Sequence, residues 1–286
     1  MITFNEAESL CRLQLSEIGS CYHLWTPENF PIIFTCDEDF KAGMGIIGIC
    51  AKLYPEVCII TFELMSNHIH ITAAGTQDRI AEMFDTIKRM LIRFIKSQGR
   101  SMDWSGFKAG TRKLTTLEEV RNVIVYNNKN GFVVSPEHTP FSYPWGANRF
   151  FFNPDAKELA HRSATIMTYR ERRRLSRSHL ANNLSDLLVF QGYALPLSFC
   201  HIEAGEKLFR NASHYFGKIA AVCRICNEKY SDGNSHSANG VTPSQLSSQE
   251  KIEMAKVMRY DYNASDKQIQ RMLKLDSRTI INILGQ

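Results

Sequence analysis

The sequence contains no uninterrupted apolar run of the roughly 18 residues that a membrane-spanning helix requires. This absence argues against an integral membrane protein, and we predict no membrane partner. Cysteine is also scarce, since eight thiols in 286 residues are too few for a disulfide scaffold. We expect these thiols to be reduced and mostly buried. Cys223 and Cys226 with His236 resemble half of a zinc site, but no second pair of ligands follows at a suitable spacing, so we predict no zinc site.

A large excess of charge of one sign is missing as well. The net charge of +5 permits a polyanionic partner but does not require one. Hydrophobic residues make up 44% of the chain and charged residues 22%, which is typical of a globular protein. The length is enough for a large core and two modules. The N-terminal segment has an early acidic residue, Glu6, and lacks the basic and apolar regions of a secretion signal, so we expect a cytoplasmic protein.

Hydrophobic periodicity predicts an α+β fold in the first half of the chain. The predicted elements, in chain order, are a strand at 20–27, a helix within 37–56, strands at 57–65 and 68–75, a helix at 76–99, a candidate edge strand within 105–114, and a helix at 117–130. Thr116 and Glu119 form a capping box that begins the last helix. The short connection between the two central strands predicts antiparallel pairing. Together these elements predict an antiparallel sheet with helices on one face.

The sequence changes character after an aromatic- and proline-rich segment at 135–154. We therefore predict two domains, an α+β domain at 1–153 and an all-α region at 154–286. Within the second region, residues 228–245 have the polar, Gly- and Ser-rich composition of a linker.

The segment MSNHIHI, at 65–71, places two histidines two residues apart. On a strand, residues i and i+2 project from the same face, so His68 and His70 point the same way while Ile69 and Ile71 pack into the core. Two imidazoles about 7 Å apart along a strand can bind one metal ion if a third ligand comes from elsewhere. The alternative is that both histidines are structural or solvent-facing residues.

The helix predicted at 117–130 carries a second pair of chemical interest. Tyr126 and Asn130 are four residues apart and share one face of the helix. An amide oxygen can complete a mixed N/O site that suits Mg²⁺ or Mn²⁺. A tyrosine has a free pKa of about 10 and is a poor nucleophile unless a nearby ion activates the reaction. The alternative is that Tyr126 only packs the helix against the sheet.

The segment FELMSNHIHI resembles the His-hydrophobic-His signature of the HUH single-strand nucleases, and more narrowly that of the IS200-like and REP-associated tyrosine transposases. Those proteins show Leu-Met-Pro-Asn-His-hydrophobic-His on the second of two central strands, and a late helix with one tyrosine and an Asn or Gln four residues on. The matching residues here are Leu64, Met65, Asn67, His68, Ile69, His70, Tyr126 and Asn130. Ser66 stands where proline is usual, and four residues usual after Asn130 are missing, so Asn127 and Asn128 remain alternatives to Asn130.

The resemblance implies a ferredoxin-like HUH nuclease palm and a metal-dependent reaction on single-stranded or hairpin DNA. A Mg²⁺ or Mn²⁺ ion on His68, His70 and Asn130 would polarise the scissile phosphate, and Tyr126 would attack it to form a 5′-phosphotyrosine and a free 3′-OH. Such a protein would be cytoplasmic and nucleoid-associated, and would act as a monomer or a homodimer. The alternative function, from another class, is a catalytically silent DNA-hairpin binder or regulator derived from such a transposase.

Two further segments are candidates for contacts with DNA. The basic run YRERRRLSRSH could contact phosphates through Arg170, Arg172, Arg173, Arg174 and Arg177. Alternatively, this run is only a solvated helix face. The tail at 248–286 has the pattern of a helix-turn-helix whose last helix would offer Arg278 and Asn282 to a groove. Its alternative is a small helical bundle that packs on the first domain.

Overall fold

A four-stranded antiparallel sheet is the central element of the computed structural model, which describes residues 20–134, 143–184, 186–222, 247–248, 251–252, 255–256 and 266–284. Its strands are β1 (Ser20–Trp25), β2 (Cys58–Leu64), β3 (Ile69–Gly75) and β4 (Gly110–Leu114), in the order β2-β3-β1-β4. The three predicted strands are confirmed, and the candidate edge strand is β4. Three helices accompany this sheet, namely α1 (Asp37–Leu53), α2 (Gln77–Ser97) and α3 (Leu117–Val134).

Helices α1 and α2 lie on the face of the sheet from which the isoleucines of the HIHI segment project. Gly43 of α1 lies against Leu64, the cross-strand neighbour of Ile69. The two helices contact each other where the Cys50 thiol meets the Met90 sulfur at 3.6 Å. The apolar stripe predicted for α2 is buried along its whole length, which is what fixes this helix on the core.

Helix α3 lies on the opposite face of the sheet. The Asn127 amide donates to the Thr72 hydroxyl at 2.8 Å, and the Thr61 hydroxyl donates to the Asn128 amide oxygen at 2.5 Å. Both threonines project from the same face as His70, because side chains alternate along β3 and share a face with their cross-strand neighbours. The α+β class is confirmed, but helices cover both faces rather than one. The sequence prediction missed this because α3 contacts the sheet partly through polar side chains, which apolar periodicity does not report.

The predicted capping box at the start of α3 is confirmed. The Glu119 backbone N–H donates to the Thr116 hydroxyl at 3.1 Å, and the Thr116 N–H donates to the Glu119 carboxylate at 3.2 Å. The helix ends at Val134, four residues beyond the predicted end, because Gly131 does not interrupt it.

Residues 154–222 are not all helical, which corrects the second half of the predicted fold class. A three-stranded sheet lies among the helices, formed by Thr165–Ile166, Leu188–Phe190 and Tyr193–Ala194 in that order. Strands of two or three residues are too short to show a periodic pattern in the sequence. The elements are α4 (Pro154–Ser163), β5 (Thr165–Ile166), α5 (Tyr169–Leu175), β6 (Leu188–Phe190), β7 (Tyr193–Ala194), α6 (Ile202–Lys207) and α7 (Ala212–Val222).

This second region packs directly on the first. The His201 backbone N–H donates to the Ile59 carbonyl in β2 at 2.7 Å. The Arg121 guanidinium, on α3, donates to the Leu208 carbonyl at 2.6 Å and is itself buried. Hydrogen bonds therefore cross the predicted domain boundary at residues 153 and 154.

The tail contains two helices of the predicted helix-turn-helix, α8 (Asp266–Leu273) and α9 (Ser277–Leu284). A three-residue connection joins them, with Lys274 in the left-handed region at φ 51°. Helix α8 packs on α7, and Ile269, Leu273 and Ile280 are buried.

Cys223, Cys226, His236 and the predicted linker at 228–245 lie outside the described residues. In the part of the chain that the structure describes, no helix is both long and apolar enough to cross a membrane.

Replacing Gly131 by alanine should lower the free energy of unfolding by about 1–3 kcal/mol, the usual cost of overpacking. Alanine is the better helix former by about 1 kcal/mol, but its Cβ would lie 2.0 Å from Cγ of Tyr143. Urea unfolding measures the difference. Gly106→Ala is the matched control, because the nearest atoms to its Cβ would be those of Phe30 at 3.9 Å. A Gly131→Ala variant as stable as wild type would contradict this packing.

Candidate functional site

His68 and His70 lie side by side on the α3 face of the sheet, as their spacing predicts. Their ring centroids are 5.0 Å apart, and both side chains are buried. A third histidine, His23 of β1, stacks on His70 at 5.5 Å and places its Nε2 3.3 Å from Nδ1 of His70. His23 could not be predicted from the sequence, because the position of this residue beside the motif depends on the pairing of β1 with β3.

A carboxylate lies close to the two histidines of the motif. The ligand atoms of Glu28, His68 and His70 all lie within 4.8 Å of one another. Glu28 follows the end of β1, where Trp25 pairs with His70. Glu28 could not be predicted from the sequence either, because its contact with His68 and His70 depends on how β1 pairs with β3.

Asn67 fixes the orientation of the first imidazole. Nδ1 of His68 lies 2.7 Å from the Asn67 amide oxygen. An amide oxygen can only accept, so Nδ1 carries the proton and Nε2 keeps its lone pair. Fixing the tautomer of a histidine in this way is typical of histidines that bind metal ions.

One ring nitrogen of the second imidazole is buried beside the cluster. Nε2 of His70 is buried and has no hydrogen-bond partner among the residues that the structure describes. A proton on Nδ1 suits the contact with His23 and leaves a lone pair on Nε2. A buried nitrogen with a free lone pair, a second imidazole and a carboxylate are the kinds of ligand that bind a divalent metal ion.

The phenol of Tyr126 lies next to this cluster. Its ring is half-buried, 5.4 Å from the His70 ring and 5.9 Å from the His23 ring, both edge to face. Burial raises the pKa of the phenol, and the Glu28 carboxylate adds to this effect. The Asn130 amide opposes the rise in pKa through a contact with the phenol.

The three asparagines of α3 have different surroundings. Asn127 donates to Thr72, and Asn128 hydrogen-bonds both Thr61 and the Tyr215 hydroxyl, at 2.8 Å for the latter. These contacts direct Asn128 into the packing of α3 on the sheet and on α7, whereas the Asn127 side chain also contacts His23. Asn130 is the asparagine whose side chain approaches Tyr126.

Glu63 joins the end of α3 to the strand beside His70. Its carboxylate accepts the Gly131 backbone N–H at 2.8 Å, and Glu63 is the cross-strand neighbour of His70. Complete burial raises the pKa of this carboxyl well above its usual value, and the backbone amides of Gly131 and Asn130 oppose that rise. Glu63 therefore ties the part of α3 that follows Tyr126 to the strand next to the histidines.

Burial also controls the charge of the histidines. It lowers the pKa of His70 to about 3, with further lowering by His68 and His23. It lowers the pKa of His23 to about 4, with Arg112 adding to the effect and Asn127 opposing it. The pKa of His68 is lowered by burial as well, against the attraction of Glu28. At neutral pH the three imidazoles are neutral, which is the state that binds metal ions.

The structure does not bring the predicted basic run to this cluster. Helix α5 packs on α1 and α2, on the opposite side of the sheet from the histidines. Arg172 is buried and donates to the Met167 carbonyl, so it is not available to phosphates and its assignment is corrected. The remaining predicted residues of α5 and its C-terminal end are exposed, namely Arg170, Arg173, Arg174 and Arg177. Arg278 and Asn282 are exposed on α9.

No protein-family model, curated protein or solved structure matches the chain.

We expect the free energy of unfolding of the metal-free protein to fall as the pH drops from about 6.5 toward 4. His70 and His23 have lower pKa values in the folded state than the ordinary 6.5, so the unfolded chain binds more protons in this range. Each group contributes a slope of at most about 1.4 kcal/mol per pH unit. Urea unfolding in EDTA at several pH values measures the slope.

In the same titration, His70→Gln should flatten the slope, while replacement of the exposed His179 by glutamine should leave it unchanged. Equal slopes for wild type and His70→Gln would show that His70 is not held neutral by its surroundings.

Proposed function

We propose that this protein is a metal-dependent tyrosine transesterase acting on single-stranded or hairpin DNA, in the manner of the HUH-type tyrosine transposases that it resembles. One observation carries the proposal. One strand, a loop and a helix bring two neutral imidazoles, a carboxylate and a phenol together, with the Tyr126 ring 5.4 Å from His70. The unpartnered nitrogen of His70 beside a carboxylate favours this interpretation over a packing tyrosine with two structural histidines.

His68 and His70 would hold a Mg²⁺ or Mn²⁺ ion together with a side-chain oxygen. When bound, such an ion neutralises charge on the scissile phosphate. The protein contributes the position of the phenol and the charge state of the imidazoles. Asn130 opposes the rise in the pKa of the phenol and so favours its deprotonation.

The proposed step exchanges one phosphodiester for another. The phenolic oxygen of Tyr126 forms a bond to phosphorus while the bond from phosphorus to the 3′ oxygen breaks. The phenolic proton is lost, and the leaving 3′ oxygen takes up a proton to become a hydroxyl. No water is consumed, and attack by a 3′-OH on the phosphotyrosine reverses the step.

The exposed arginines of α5 and the exposed face of α9 are the proposed contacts with the rest of the DNA. Because α5 and the histidine cluster lie on opposite sides of the sheet, a DNA that reaches both must pass around an edge of the sheet. This arrangement favours a substrate with a stem on one side and a single-stranded segment on the other.

Wild-type protein should form a covalent adduct with hairpin oligonucleotides that carry randomised single-stranded flanks, in Mg²⁺ or Mn²⁺. The proposed product attaches Tyr126 to the 5′ phosphate of the downstream fragment. A label at the 3′ end of the DNA should therefore migrate with the protein on a denaturing gel, whereas a label at the 5′ end should be released.

Tyr126→Phe should abolish the adduct and retain DNA binding, and EDTA should abolish the adduct of the wild type. Tyr54→Phe is the matched control, since the Tyr54 hydroxyl contacts Thr86 away from the cluster. If the wild-type protein binds the hairpin pool but gives no adduct, the proposed reaction is wrong and the alternative, a catalytically silent DNA-hairpin binder, is favoured.

Arg173→Ala should weaken DNA binding and reduce the slope of log affinity against log salt by about 0.7–0.9, the value for one phosphate contact. Arg162→Ala, on α4 outside the basic run, is the exposed control and should leave the slope unchanged. Arg172→Ala should lower stability, because Arg172 is buried, without changing the slope of folded protein. A slope unaffected by Arg173→Ala would remove α5 from the DNA interface.

A further inference from the structure

We infer that Glu28, and not Asn130, supplies the third protein ligand of the divalent ion. Asn67 holds the backbone of Glu28 in place for this role. This inference rests on the proposed function in so far as that function requires an ion at His68 and His70. It assigns to Asn130 a different task, at the phenol.

The position of Glu28 suits a ligand. Its carboxylate oxygen lies within 4.8 Å of a nitrogen of both His68 and His70, which is a separation that one ion between them can bridge. Glu28 follows the end of β1, where Trp25 pairs with His70, so the chain brings this carboxylate to the strand that carries the imidazoles.

Asn67 links the backbone of Glu28 to the first imidazole. Its amide oxygen lies 2.7 Å from Nδ1 of His68, while its amide nitrogen donates to the carbonyls of Glu28 and Phe30, the latter at 3.1 Å. One side chain thus sets the tautomer of one ligand and the backbone position of another. Such supporting contacts orient ligands and increase metal affinity.

The rest of the loop is anchored to the start of β3 and to the connection that precedes it. The Ile69 N–H donates to the Thr26 hydroxyl at 2.9 Å, and the Thr26 N–H donates to the Ile69 carbonyl at 3.1 Å. Beyond Glu28, the N–H groups of Ile33 and Phe34 both donate to the Ser66 carbonyl, at 2.8 and 2.9 Å. Glu28 is exposed, yet its backbone is fixed on both sides, so ion binding would need little ordering of the loop.

The contacts of Asn130 point to the phenol instead. Asn130 follows Tyr126 by one turn of α3, its buried amide nitrogen has no hydrogen-bond partner among the described residues, and its backbone N–H contacts Glu63. A carboxylate is also a better partner than a neutral amide for Mg²⁺ or Mn²⁺, because these hard ions prefer anionic oxygen. Two neutral imidazoles and one carboxylate leave a bound divalent ion with a net charge of +1, which can attract a phosphodiester.

The test is Mn²⁺ binding to the full-length protein without DNA, measured by the electron paramagnetic resonance signal of free Mn²⁺. Glu28→Gln should weaken binding by more than about tenfold, and Asn67→Ala by about 10–100-fold. Asn130→Ala should change it less than about threefold. Glu203→Gln, which removes an exposed carboxylate on α6, is the control for net charge.

Unchanged Mn²⁺ affinity in Glu28→Gln, or a larger loss in Asn130→Ala, would overturn the inference, as would wild-type protein that binds no Mn²⁺. Because no DNA is present, this result is independent of the adduct assay. Binding that depends on Glu28 in a protein that forms no adduct would sustain the ligand assignment and reject the proposed reaction alone.

Discussion

Buried polar hydrogen bonds between α3 and the sheet set the position of the candidate site. Asn127 bonds Thr72, and Asn128 bonds Thr61, each at a fixed point along a strand. Apolar contacts alone would let a helix slide or rotate at small cost, whereas a displaced α3 would leave these buried groups without partners, at about 1–3 kcal/mol each. The adjacent Tyr126 is therefore held at a defined height above His70, although no direct hydrogen bond joins the two.

The electrostatics of the site follow from its burial. Imidazoles held in low dielectric stay neutral far below the pH at which free histidine is protonated, so protons do not compete with a cation at neutral pH. The same burial makes the Tyr126 phenol a weaker acid than usual. A positive charge at the cluster would offset that effect directly, because the phenol and the imidazoles share one small space. Under the proposed function, the acidity of the Tyr126 phenol would therefore depend on whether an ion is bound at the histidines.

The parts of this arrangement that follow from a periodic pattern of residues can be predicted from the sequence. The twofold period of a strand puts His68 and His70 on one face, and the apolar stripe of α2 identifies a buried helix. The Thr116 capping box locates the start of α3. These features depend only on residues close together in the chain.

The features that escaped prediction depend on long-range pairing. His23 and Glu28 reach the cluster only because β1 pairs with β3 in the register that sets Trp25 opposite His70. Arg172 is buried although its neighbours in the basic run are exposed, since one side of a short helix must face the core. The strands after residue 163 are too short to show alternation.

The bond between Asn128 and Tyr215 has a consequence for the modular organisation of the chain. Asn128, which bonds α3 to Thr61 of β2, also donates a hydrogen bond to the Tyr215 hydroxyl of α7, 87 positions further along the chain. A fragment ending near residue 153 would keep every proposed reactive group yet lose this support, together with the partners of Arg121 and of the Ile59 carbonyl. We therefore expect the smallest autonomous folding unit to extend beyond the segment that holds the candidate site, at least as far as α7.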